Sequence, residues 1–113
     1  MNRVSGRLRR RRTEGAGTTM SSEQRISALA QLFPVLRKGA PGLTPWDPEQ
    51  LDQWGSGPSP SAGSRHAVRF VLAVWHDSRP WRSGPFNLIQ AVRVWDDAHL
   101  EALRTWLRSP WLP

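Results

Sequence analysis

"RHAVRFVLAVWHD", residues 65–77, is the stretch on which the fold turns. Read as a helix, it places Ala67, Val68, Phe70, Val71, Leu72, Val74 and Trp75 on an arc of about 200°. Arg65, Arg69 and His76 fill the narrow strip that remains. An apolar arc this wide belongs to a helix buried on most of its circumference. The β-branched residues leave a buried strand as the alternative. Ser64, immediately upstream, is a competent N-cap, which favours the helix.

Helical periodicity continues on both sides. Ser21 and Gln24 have capping-box spacing ahead of a helix expected over Ser22–Phe33. Ile26, Leu29, Ala30, Leu32 and Phe33 share one face of it, while Glu23, Gln24, Ser27 and Gln31 lie opposite. Pro34 stops this helix, because it lacks the amide proton and clashes with the preceding turn. After a loop, "RKGAPGLTP", comes a short helix in "WDPEQLDQW", with Asp47 as N-cap and Pro48 at the first helical position. Residues 55–64, "GSGPSPSAGS", carry no large side chain and are expected to form a flexible loop.

Beyond the central stretch, "DSRPWRSGP" is turn-rich. "FNLIQAVRVW" reads as a further helix, with Leu88, Ile89, Ala91, Val92 and Trp95 on its core side. The closing stretch, "WDDAHLEALRTWLRSPWLP", reads as a helix over Asp97–Arg108 capped by Asp96 and ended at Ser109-Pro110. The expected fold is therefore all-α: a small bundle of four to five short helices. It forms a single tryptophan-rich domain over residues 20–113.

The first 19 residues differ in kind. They hold Arg3, Arg7, Arg9, Arg10, Arg11 and Arg12 against Glu14, a net charge of +5, with Val4 and Leu8 as the only large aliphatic residues. Such a segment cannot bury enough apolar surface to order itself and is expected to be a disordered arm. Its functional readings are a nucleic-acid contact made by Arg7, Arg9, Arg10, Arg11 and Arg12, an organelle transit peptide, and a twin-arginine export signal, whose apolar h-region is absent; against them stands a mis-assigned start, with translation beginning at Met20, or a tail without function. The rest of the chain carries 10 basic and 8 acidic residues, a net of +2, so the overall +7 belongs mostly to the arm. Lys38 is the only lysine among 16 basic residues, and tyrosine is absent. This arginine-over-lysine bias points to a high-GC, bacterial coding sequence. Part of the arginine content then reflects codon usage rather than phosphate contacts.

Several chemistries are unsupported by the residue pattern. With no cysteine there are no disulfides, thiolate metal sites or thiol nucleophiles. No apolar run approaches the roughly 20 residues needed to cross a bilayer, so no membrane partner is expected and a cytoplasmic location is. His66 and His76 stand about 15 Å apart along a helix, too far to share a metal. The glycines of 55–64 follow no strand, so they make no phosphate loop. Asp96 and Asp97 point about 100° apart and are explained by capping and the helix dipole. Neither a cofactor nor an enzymatic activity is expected.

His99 is the one polar residue inside an apolar stripe, at i, i+4 and i+7 with Leu103 and Trp106. A buried base and a hydrogen-bonded core histidine are its two readings, the second being the ordinary one. The seven tryptophans divide in two. Trp54, Trp75, Trp95 and Trp106 have core spacing. Trp46, Trp81 and Trp111 each follow a proline in a connection or tail. They either fold back as lids on helix ends or form an exposed patch, with Arg79 and Arg82 flanking Trp81.

The pattern from Phe86 through "VWDDAH" to "SPWLP" resembles the C-terminal ends of small uncharacterised bacterial proteins, over roughly residues 65–113. The resemblance implies no activity, ligand or named fold. The functional expectation is a non-enzymatic module that contacts another protein through Trp46, Arg79, Trp81, Arg82 and Trp111. Nucleic-acid binding by the basic arm is the alternative.

Overall fold

The computed structural model describes residues 20–113; the arm at 1–19 lies outside them. The described residues form six helices and no strand: α1 (Ser22–Gln31), α2 (Pro34–Arg37), α3 (Pro48–Gly55), α4 (Ala62–His76), α5 (Leu88–Val94) and α6 (Asp97–Arg108). The chain is all-α, and its central stretch is the longest helix. A helix over this 15-residue segment satisfies its backbone groups internally except at the two ends, whereas a strand there would need partners that no other described segment provides.

α4 is the axis of the molecule: α1, α2, α3 and α5 all pack on it. Ala67, Val68, Phe70, Val71, Leu72 and Val74 are buried, and Trp75 is partly so. The helix begins three residues earlier than expected. Its N-cap is Ser61, whose hydroxyl accepts from the Ser64 amide at 3.2 Å, and Ser64 is buried within the first turn. The loop expected over 55–64 shrinks accordingly, because Gly55 belongs to α3 and residues 62–64 belong to α4.

α1 carries the expected capping box: the Gln24 amide donates to Ser21 Oγ, and the Ser21 amide donates to Gln24 Oε1. The helix ends at Gln31, so Leu32 is exposed rather than buried. Phe33 nevertheless points inward and is fully buried. Ser27, expected on the polar face, is buried and bonded to the Thr44 hydroxyl at 3.1 Å. Pro34 breaks α1 and opens α2, a one-turn helix that accounts for the sixth element. The fixed proline φ that ends one helix suits the first position of another. Between α2 and α3 the chain reverses at Gly42, whose φ of 82° favours glycine and whose carbonyl accepts from the Asp47 amide at 2.8 Å.

The largest departure from expectation is α5. Its first residue is capped as a helix should be, with Asn87 Oδ1 accepting from the Gln90 amide at 3.0 Å. Yet Ala91 is its only buried residue. Leu88, Ile89 and Val92, expected in the core, are 47%, 65% and 47% exposed, and Val94 is 49% exposed. The reason lies just outside the helix. Trp95 and Phe86 flank it and stack at 5.8 Å between centroids, filling the volume beneath α5, so that only the methyl of Ala91 has room.

Side chains of α4 and of the following connection press closely on Gly55. A Cβ there would stand 2.6 Å from Val68 Cγ1 and 2.8 Å from Ser83 Oγ. We expect Gly55→Ala to destabilise the protein by about 1–3 kcal/mol in urea unfolding, because neither α4 nor the Ser83 segment can retreat freely. Gly57→Ala, where the nearest atom would be 3.4 Å away, should unfold close to the parent.

Candidate functional site

The three tryptophans that follow prolines do not come together. Trp46 packs edge-on against Trp75 at 5.4 Å between centroids and is partly buried. Trp81 is only 9% exposed; its indole N–H donates to the His76 carbonyl at 2.9 Å and so closes the C-terminal end of α4. Trp111 lies at the other end of the chain, partly buried, with the Arg25 guanidinium 4.4 Å over its ring and its carbonyl accepting from Trp106 Nε1 at 3.1 Å. Of its two readings, Trp81 takes the lid and not the exposed patch, because the helix leaves the His76 carbonyl without an intrahelical donor and the indole supplies one.

The arginines beside Trp81 take different roles. Arg79 stacks on the Trp81 ring at 4.2 Å and forms an ion pair with Glu49 of α3. Arg82 keeps its side chain exposed while its backbone amide donates to Asp52 Oδ2 at 3.0 Å. Arg7, Arg9, Arg10, Arg11 and Arg12 lie outside the described residues.

Asp52 went unnoticed in the sequence, where it reads as one more polar residue of a short helix. It is buried. Its carboxylate accepts from the Ser83 amide at 2.8 Å as well as from the Arg82 amide, and its carbonyl accepts from Ser83 Oγ at 3.2 Å. One side chain thus ties α3 to the connection between α4 and α5. Two amides satisfied by one carboxylate make a strong, directional clamp.

That connection and α4 enclose a cavity of about 620 Å³ lined by Arg69, Ala73, Asp77, Ser78, Arg79, Pro80, Trp81, Gly84, Pro85 and Phe86. Arg69 Nε donates to the Ser83 carbonyl at 2.5 Å, so the Asp52 clamp also fixes the carbonyl that holds Arg69. One helical turn away, His66 is buried with Nδ1 lacking a partner, and burial, followed by the Arg69 charge, holds its pKa below the ordinary value.

His99 is buried. Its Nδ1 lies 2.6 Å from Asp96 Oδ1, and its Nε2 accepts from the Val35 amide at 3.4 Å. An accepting Nε2 places the ring proton on Nδ1, where it faces the carboxylate. Both nitrogens are engaged, and neither is offered to a substrate. The histidine joins the start of α6 to α2. Among the described residues, no group of three or more potential metal-ligating side chains is gathered.

The His99 ring N–H, and after it the His99 amide, hold the Asp96 carboxyl below the usual aspartate range. A carboxylate depressed in the folded state contributes stability above its unfolded pKa, and this is lost as pH falls through the folded value. Asp96→Asn keeps a helix cap but removes the charge. We expect the melting temperature of the parent to exceed that of the variant near neutral pH, and the gap to close as pH is lowered below about 4. A gap independent of pH would show that the carboxylate charge adds nothing beyond the cap. The chain has no match among protein-family models, curated proteins or solved structures, so these contacts carry the functional reading by themselves.

Proposed function

We propose that this protein is a non-enzymatic helical module that binds another protein through α5. The observation that carries this reading is the outward face of that helix, where Leu88, Ile89 and Val92 present large aliphatic side chains to water at helical spacing. A helix that buries one alanine and exposes its branched residues is costly unless something covers it part of the time. The occupant that suits it is the apolar face of a partner helix, seated by i, i+3 and i+4 contacts. A second copy of the chain is the weaker fit. Two turns of helix fall well short of the roughly 800 Å² per partner that a stable dimer buries.

A second reading rests on charge. The net +5 of residues 1–19 suits a phosphate backbone, while the remainder, at +2, adds little. If the arm binds nucleic acid, affinity for a short duplex should fall steeply as salt is raised and be lost when residues 1–19 are deleted.

The principal reading is tested by placing a photo-crosslinking amino acid at Gln90, on α5, and at Glu101, on α6, in the native host. We expect a discrete adduct with another protein from position 90 only, abolished by Ile89→Glu. That substitution should leave stability within about 0.5 kcal/mol, because the site is exposed. An adduct at twice the 12.8 kDa chain mass would assign the face to a second copy, and the absence of any adduct from position 90 would overturn the reading.

A further inference from the structure

The cavity beside α4 has a chemical asymmetry that the α5 reading does not use. Its walls are apolar and flat: Ala73, Pro80, Trp81, Pro85 and Phe86. At one end stands Arg69, partly buried, with Nε fixed on the Ser83 carbonyl. Its two terminal guanidinium nitrogens have no carboxylate within ion-pair reach among the described residues. Arg79, the other cation at the rim, is already neutralised by Glu49 and stacked on Trp81. The carboxylate at the cavity, Asp77, follows α4 eight residues after Arg69, about 12 Å along the axis. It therefore marks the far end.

A half-buried guanidinium without a counter-ion is unfavourable, and its planar fork of donors matches a carboxylate. Orientation is already fixed, since the bond from Nε to the Ser83 carbonyl leaves the terminal nitrogens as the free edge. Ser83 is itself held by Asp52, so the donor is anchored through two buried contacts rather than swinging on a flexible stem. The volume, about 620 Å³, lies in the range of small-molecule sites. Apolar walls with one convergent charged group are what such sites share.

We propose that this cavity binds a small organic anion, a carboxylate carried on a flat apolar body. Arg69 takes the carboxylate, and Trp81 and Phe86 wall the body. The site is separate from the outward face of α5, so either assignment stands if the other fails.

The test uses the full chain, labelled with 15N and observed at the Arg69 Nε–H and the Trp81 indole N–H. Phenylacetate is the probe; phenylacetamide, its neutral analogue, and inorganic phosphate, an anion with no apolar body, are the controls. We expect saturable shifts of both signals with phenylacetate and at least tenfold weaker binding of either control. Arg69→Gln, which retains a donor for the Ser83 carbonyl, should weaken phenylacetate binding at least tenfold. Ala73→Leu, which keeps Arg69 but fills the cavity, should do the same and remains informative if the first variant fails to fold. Equal response to the amide, shifts that never saturate, or undiminished binding by Ala73→Leu would each overturn the proposal.

Discussion

Phe33 is fully buried and meets aromatic rings from three separate parts of the chain: Phe70 of α4 at 5.7 Å, Trp95 at 5.3 Å and His99 of α6 at 6.1 Å. The network extends from Phe70 to Phe86 and Trp106, and from Trp95 to Phe86. The rings come from beside α1 (Phe33), from both flanks of α5 (Phe86 and Trp95) and from within α6 (His99 and Trp106), so the cluster joins these three parts of the chain to one another and, through Phe70, to α4. Tilted and edge-on aromatic pairs add to the area they bury, and removing a ring such as Phe33 would cost about 3–5 kcal/mol. The break at Pro34 is what aims Phe33 there. A helix continued through residue 33 would have carried the ring around with it.

The other half of the molecule rests on a polar constraint. Asp52 fixes the Arg82 and Ser83 amides, Ser83 fixes Arg69, and Trp81 closes the end of α4. Together these contacts give a turn-rich connection a defined shape. They also hold Arg69 at the edge of the cavity beside α4, opposite several flat apolar side chains. Loops positioned by a rigid scaffold are where binding groups collect, and here the scaffold is α4.

The two proposed surfaces have a common origin. Trp95 and Phe86 occupy the space beneath α5, which turns its branched residues outward. Trp81 and Phe86 line the cavity on the other side of the connection. Large rings taken into the core thus determine what is left outside. Among the described residues the exposed large apolar side chains of this tryptophan-rich protein are non-aromatic, whereas its tryptophans are mostly covered.

Much of this fold could be read from local pattern. The capping box at Ser21 and Gln24, the Asp47-Pro48 start of α3, the wide arc of α4 and the Asp96 cap of α6 depend on residues within a turn of each other, and such interactions leave a trace in sequence spacing. The burial of Asp52, the bond from the Val35 amide to His99 and the outward face of α5 left no such trace. Each is decided by residues about 30 or more positions away, or by competition for one volume. Periodicity shows that a helix has an apolar face, but not whether that face meets the core. For α5 the choice was made by two neighbouring rings that fill the same space. Packing volume, unlike helical phase, is a property of the whole fold.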